Sequence, residues 1–245
     1  MKKMIIPIAI VSLVISSCTS AQLQQAASQL PQILETSGLG QTQIAAGLKE
    51  ALQQGIDKQV VNLTKTNGFY NNSLVRIGLP SELQKVEKTL RDVGLGSLAD
   101  EGIKSLNKAA SNAVKEATPI FVDAITSMTI SDATNILMGN KDAATQYLQK
   151  STKTSLYKKF NPVIKSSFTK VGADKIWSNI ITKYNAIPLV KKINPDLTDY
   201  VTQEALTGVY TMIEKEELNI RNNVSSRSTN LLKSVFAMQD KVNED

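Results

Sequence analysis

The sequence has no histidine and a single cysteine, Cys18. Without a second cysteine the chain cannot form an internal disulfide, and without imidazole no mechanism can use a histidine base or ligand. Zinc sites built from cysteine and histidine are excluded for the same reason. Acidic residues are also too dispersed for a calcium loop, which needs several within about twelve residues. We therefore expect no metal and no cofactor, and any chemistry must come from hydroxyls, amines or carboxylates.

The N-terminus has the pattern of an export signal. Lys2 and Lys3 form a positive start, and residues 4–15 form an apolar segment that is too short to span a bilayer. The residues that follow, Ile15-Ser16-Ser17-Cys18, resemble the lipobox of bacterial lipoproteins. This pattern predicts a signal peptide over 1–17 and lipidation of Cys18. An ordinary secretory signal with a chance cysteine is the alternative.

The residues after Cys18 predict where the anchor would lie. Thr19, rather than an aspartate, follows the cysteine, which is typical of an outer-membrane address in this class of lipoprotein. Residues 18–40 are rich in Gln, Ala and Ser and are predicted to be the lipid anchor and tether. We therefore expect an outer-membrane lipoprotein of the bacterial cell envelope that faces the periplasm, with the membrane as its partner through the acyl chains.

The remainder of the chain has the apolar spacing of helices. Apolar residues recur at three- and four-residue steps through 41–238, and no strand pattern interrupts them. This predicts a single all-α domain: an irregular multi-helix domain of about nine mostly short helices with no significant sheet, followed by a polar tail over 239–245. The expected breaks are a turn at Asn67-Gly68, an extended loop or at most a tiny hairpin over 69–79, and a restart at Asn161-Pro162. The expected start signals are Ser97, Pro119, Ser131-Asp132, Asp142, Thr198, and Ser228 or Thr229.

Positive charge is concentrated in one part of the chain, whose formal net charge is +6 overall. Residues 150–192 contain ten lysines and one acid, Asp174. This asymmetry predicts an anionic partner, either lipid or glycan, whereas a solvated lysine-rich surface is the alternative. Nucleic acid is not expected, because an outer-membrane lipoprotein seldom meets it. The candidate binding lysines are Lys158, Lys159, Lys191 and Lys192.

A few carboxylates are the candidates for catalysis. Asp123, Asp142 and Glu216 could form the carboxylate pair of a cell-envelope hydrolase or lyase. The alternative is structural: Asp142 suits a helix cap, and the neighbouring Glu217 suits an i,i+4 salt bridge with Arg221. Ser-x-x-Lys pairs are no more frequent than chance predicts, and the other elements of penicillin-recognising enzymes are missing.

A second candidate binding group is polar and aromatic. Tyr147, Tyr184, Asn185 and Tyr200 could line a groove for a sugar or a peptide. The alternative is that these tyrosines pack at the edge of the core with their hydroxyls in water.

Several segments resemble a known bacterial family. The segments are AAGLKEAL (45–52), KVEKTLRDVGLGSLAD (85–100), PIFVDAITSMT (119–129) and DYVTQEALTGVY (199–210). In order and spacing they resemble the family designated domain of unknown function 4197, from about Gly38 to Phe236. The resemblance implies an exported, often lipid-anchored, all-helical protein and brings no catalytic residues. We therefore expect a non-enzymatic periplasmic binding or structural module, with the carboxylate hydrolase or lyase as the alternative.

The lipidation of Cys18 can be tested directly. Cys18→Ser removes the thiol that would be acylated, so the variant should carry no acyl chain and remain unprocessed or soluble. Labelling with radioactive palmitate and fractionation of the cells measure both outcomes. Palmitate incorporation that persists in the variant would contradict the prediction.

Overall fold

The computed structural model describes residues 39–92, 94, 96–171, 173–186, 192 and 196–242. Within these residues nine α-helices and two short 3₁₀ turns, Ser81–Leu83 and Val224–Ser226, account for all the regular structure. The helices are α1 Gln41–Thr64, α2 Gln84–Asp92, α3 Gly96–Val114, α4 Ala117–Thr126, α5 Ile130–Leu137, α6 Ala143–Val171, α7 Ala173–Asn185, α8 Thr198–Asn222 and α9 Asn230–Val242.

Three long helices, α1, α6 and α8, organise the packing. α6 lies against α3 and α8, while α1 contacts α4, α5, α8 and α9. α6 and α8 run antiparallel, because Thr145 meets Glu217 near one end and Tyr157 meets Asp199 near the other. The buried apolar residues of these helices form one continuous core. The all-α prediction is therefore confirmed, and no described residue lies in a β-strand.

The predicted break at Asn161-Pro162 is wrong, because α6 runs through Pro162 without interruption. Proline removes one backbone hydrogen bond, and inside a helix it costs about 3 kcal/mol. A buried apolar stripe continues on both sides of the proline at four-residue steps, and Pro162 itself is exposed. Packing of this stripe against α3 and α8 therefore outweighs the lost hydrogen bond. The stripe consists of Leu156, Phe160, Ile164 and Phe168.

Several predicted start signals are displaced by a few residues. The cap of α5 is Thr129 rather than Ser131; its hydroxyl accepts from the Asp132 amide at 3.0 Å. The Asp132 carboxylate in turn accepts from the amide and hydroxyl of Thr129, and these bonds lower its pKa. The two side chains thus satisfy the backbone amides of both Thr129 and Asp132. Ser131 alone could not satisfy both.

Other helices also begin one or two residues before the predicted signal. Ser97 lies inside α3, Pro119 lies in the first turn of α4, and Thr198 is the first residue of α8 after Leu197. The prediction for Thr229 is confirmed, because its hydroxyl accepts from the Leu232 amide at the start of α9. α9 continues to Val242, four residues into the segment predicted as a polar tail.

The segment between α1 and α2 is irregular, as predicted, but it is also buried. Asn67 has a φ of 59°, which provides the expected turn after α1. Phe69, Val75, Ile77 and Leu79 then face the core with at most 5% exposure. A buried loop needs partners for its backbone polar groups, since unpaired groups away from water are costly.

Asn107 of α3 supplies these partners. Its amide oxygen accepts from the Ile77 N–H at 2.8 Å, and its amide nitrogen donates to the Ile77 carbonyl at 2.7 Å. The Asn107 side chain is 1% exposed. Its amide thus gives the backbone of Ile77 the two hydrogen bonds that a neighbouring β-strand would otherwise supply. The loop therefore has a fixed position against α3.

Asn107→Ala tests this role. The change leaves the Ile77 N–H and carbonyl buried without partners, so it should lower the free energy of unfolding by about 1 to 3 kcal/mol. Urea denaturation followed by circular dichroism measures the effect. Asn135→Ala, at an exposed position of α5, is the control and should leave the midpoint nearly unchanged. An equally small effect at Asn107 would contradict the proposed pairing.

Candidate functional site

The second half of α8 and the turn after it carry an unusual set of buried charges. Glu216 and Glu217 are each 8% exposed, while Arg221 and Arg227 are 3% and 2% exposed. Charged residues are almost never this buried unless they are paired. Each of them makes hydrogen bonds to other helices, and together they form the polar centre of the molecule.

Glu217 closes the N-terminus of α6. Its carboxylate accepts hydrogen bonds from the amides of Ala144 at 3.0 Å and Thr145 at 2.8 Å, and from the Thr145 hydroxyl at 2.8 Å. These two amides belong to the first turn of α6 and have no partner within the helix. A negative charge there also interacts favourably with the positive end of the helix dipole.

Arg221 closes the C-terminus of α5 in the complementary way. Its guanidinium donates to the carbonyls of Ile136 at 2.8 Å and Leu137 at 3.0 Å, and to the Gln239 side chain at 3.0 Å. It also forms the i,i+4 salt bridge with Glu217 at 2.9 Å. The predicted Glu217–Arg221 pair is therefore present, and it joins α8 to the ends of two other helices.

Arg227 performs the same role for α8 itself. It donates to the carbonyls of Ile220 at 3.1 Å and Arg221 at 2.8 Å, which lie in the last turn of α8. Both terminal nitrogens also contact the Asp240 carboxylate of α9, at 2.6 and 2.9 Å. This two-point contact fixes α9 against the end of α8.

Glu216, a candidate catalytic acid, lies beside this network and is also paired. Lys58 of α1 donates to one carboxylate oxygen at 2.6 Å, and Gln59 donates to the other at 2.9 Å. Glu216 and Glu217 both border a cavity of about 20 Å³ that is otherwise lined mainly by apolar residues of α1, α8 and α9. That volume is enough for about one water molecule. This cavity therefore has no room for a sugar ring between its two carboxylates.

The two other candidate acids lie outside this cavity. Asp123 is exposed on α4, and Asp142 precedes α6, where its carboxylate accepts from the Gln146 side chain at 2.7 Å. Neither residue borders the cavity with Glu216. The structure thus does not bring Asp123 or Asp142 to the two buried glutamates. Within the described ranges there is also no group of three acidic, histidine or cysteine side chains that could hold a metal.

Among the candidate aromatic residues, Tyr147 lies near the start of α6. Its hydroxyl donates to the Ala124 carbonyl of α4 at 3.3 Å. Burial, together with the negative charge of Asp132, raises its pKa. Tyr147 therefore packs at the edge of the core, with its hydroxyl bound to the backbone.

The other members of that group lie elsewhere. Tyr200, at the start of α8, donates to the Gly78 carbonyl at 3.1 Å. Because α6 and α8 are antiparallel, Tyr200 and Tyr147 lie towards opposite ends of this helix pair. Asn185 is the half-buried last residue of α7, and the side chain of Tyr184 lies outside the described part of the structure.

The candidate lysines lie on the surface. Lys158 and Lys159 are exposed on α6, and Lys192 is exposed before α8. Lys191 lies outside the described residues, as does Cys18. Four other lysines of α6 are exposed as well: Lys150, Lys153, Lys165 and Lys170.

Sequence reasoning did not identify Arg227, Asp240 or Asn107. Arg227 follows α8 in a stretch of Asn and Ser, which reads as an exposed turn, and its partner Asp240 lies in the predicted tail. An arginine placed shortly after a helix end, where it can bind the last carbonyls, was the available signal.

No helix among the described residues has the length and hydrophobicity needed to cross a membrane. The fold and its polar centre define an all-α domain whose buried charges hold helix ends together. The chain belongs to a family of proteins of unknown function, DUF4197, whose model matches residues 38–237. No curated protein and no solved structure matches the chain.

The Glu217–Arg221 pair can be compared with an exposed pair of the same spacing. In the buried pair the side chains of Arg221 and Glu217 are 1% and 5% exposed, whereas in Lys88–Asp92 the values are 75% and 59%. Arg221→Met leaves a buried carboxylate without its cation and should cost about 3 to 5 kcal/mol of unfolding free energy. Lys88→Met, the matched control, should cost less than about 1 kcal/mol.

Chemical denaturation of the two variants measures this difference. If Arg221→Met is as mild as Lys88→Met, the buried pair does not hold the ends of α5 and α6. A large loss for both would mean that α2 depends on its surface charges.

Proposed function

We propose that this protein is a lipid-anchored cell-envelope module that binds an anionic surface and performs no catalysis. In this proposal Cys18 carries the lipid, and the domain faces the periplasm from the outer membrane. The observation that carries the binding role is a set of exposed lysines without acidic partners, which we call the lysine face. It consists of Lys150, Lys153, Lys158, Lys159, Lys165 and Lys170 of α6 and Lys175 of α7.

The surroundings of the lysine face support this role. In the described part of the chain none of its seven ammonium groups has a hydrogen-bond or salt-bridge partner, whereas Lys58 and Lys88 each bind a carboxylate. The nearest acid in sequence, Asp174, accepts instead from the Thr169 hydroxyl and the Lys175 amide. The positive charge is therefore available to a partner.

Electrostatic attraction of this kind is sufficient for weak, salt-sensitive binding. Each lysine near an anionic membrane contributes about 1 kcal/mol. The attraction fades beyond a Debye length of about 8 Å at physiological salt. Because the proposed anchor keeps the domain close to the envelope, weak binding is enough to orient it.

The catalytic alternative receives less support. A hydrolase built on the candidate acids needs two of them in a cleft that admits the substrate and a water. The two glutamates that border one cavity are each paired with cations or amides, and that cavity holds about one water. We therefore assign Glu216 and Glu217 to the stability of the fold.

Replacement of four members of the lysine face tests the proposal. The full-length Cys18→Ser chain lacks the acyl chains and keeps every residue of the described domain, so lysine variants that are compared in this background differ only in the lysines. We expect it to sediment with anionic vesicles or with purified peptidoglycan at low salt and to release near about 0.5 M salt, where screening is strong. The variant with Lys150, Lys153, Lys158 and Lys159 changed to Gln should lose this binding.

The control has the same change in net charge at other exposed sites. It replaces Lys104, Lys141, Lys215 and Lys233 with Gln, and it should bind like the parent chain. Equal losses in both variants would mean that net charge alone acts. If the parent chain binds neither target at low salt, the lysine face is a solvated surface and the proposal fails.

A further inference from the structure

A second concave site lies at the far end of α6 from the buried charges. The C-terminal part of α6, the start of α7 and the start of α8 enclose a groove of about 470 Å³. Small-molecule sites typically have volumes of about 300 to 1,000 Å³. The groove is thus large enough for a ligand, unlike the cavity beside Glu216.

The groove includes an apolar side. Phe168 of α6, Trp177 of α7 and Leu197 before α8 line it, and each is 5% exposed or less. The indole N–H of Trp177 is buried and has no hydrogen-bond partner among the described residues. Buried donors almost always have a partner in native proteins. Trp177 is therefore an unusual residue in the lining of the groove, because its buried donor is unpaired.

Two lysines supply the charge of the groove. Lys165 and Lys175 line it, both belong to the lysine face, and neither ammonium has a partner within the described residues. Asp174 and Asp196 also line it, but their carboxylates already accept hydrogen bonds from the amides of Lys175 and Thr198, each at 2.8 Å. The groups left to attract a ligand are therefore the two ammonium groups.

The geometry points to a carboxylate-bearing saccharide as the ligand of this groove. A sugar ring presents apolar C–H groups to aromatic and aliphatic residues, and its carboxylate would pair with Lys165 and Lys175. A bare phosphate makes no use of the apolar side. This inference rests on the proposed function, and it adds a saccharide subsite, formed around Lys165 and Lys175, to the lysine face.

Trp177 allows a direct measurement, because it is the only tryptophan in the chain. Its fluorescence reports on the groove when the full-length Cys18→Ser protein is titrated with N-acetylmuramic acid, a carboxylated sugar. We expect a saturable change. N-acetylglucosamine, which has a similar ring without the carboxylate, should bind about tenfold more weakly or not at all, since charge-assisted hydrogen bonds are the strong ones.

Variants assign the response to the groove. The Lys165→Gln/Lys175→Gln double variant should bind N-acetylmuramic acid about tenfold more weakly, which is the effect of losing charge-assisted contacts. The control Lys104→Gln/Lys141→Gln has the same change in charge outside the groove and the lysine face, and it should bind normally. All four lysines are exposed, so these variants should fold, and circular dichroism would verify this.

The other outcomes overturn the inference. No saturable change, or equal binding by the Lys165/Lys175 variant, would mean that the groove does not bind the sugar. An equal response to inorganic phosphate would mean a simple ion site. If the parent chain still sediments with peptidoglycan or vesicles while the titration is silent, the lysine face binds without the groove. If neither the titration nor the sedimentation shows binding, the proposed function is refuted as well.

Discussion

The interaction on which the rest of the structure depends is the buried salt bridge between Glu217 and Arg221. It lies on α8, yet its two charges bind the first amides of α6 and the last carbonyls of α5. Both contacts also match the direction of the helix dipoles. One pair of side chains therefore sets the position of three helices and of the turn between two of them. Removing water from such charges is expensive, and the hydrogen bonds to helix ends are what offset that cost.

Much of the fold could be predicted because its signals are local. Helical spacing, the turn at Asn67 and the spacing of Glu217 and Arg221 all depend on neighbours within a few residues. The roles of Asn107 and Arg227 could not be predicted in this way, because their partners lie 30 and 13 positions away in sequence. The predicted break at Pro162 was wrong for a similar reason. Packing against helices from other parts of the chain outweighs the local effect of the proline.

The candidate site also contains features that could be predicted from the sequence and features that could not. The lysines were recognised from composition, and their exposure on α6 agrees with the apolar stripe that faces the core. The groove beside Trp177 was not anticipated, since it needs three helices to meet and its residues come from two separated segments. The carboxylates that looked reactive in the sequence pair within the molecule where they are buried. Charge is thus paired in the interior, whereas the exposed lysines of α6 have no acidic partner among the described residues.

The caps of α6 also constrain the order in which the chain can fold. The amides of Ala144 and Thr145 are capped by Glu217, which lies 73 and 72 positions further along the chain. The last turn of α8 is bound by Arg227, whose own partner is Asp240. A chain that is still being synthesised therefore has the start of α6 uncapped until Glu217 is available, and the end of α8 uncapped until Arg227 and Asp240 are available. A helix in the middle of the domain thus depends for its closure on residues far downstream, and a truncation that removed Asp240 would weaken the contact between α9 and the end of α8.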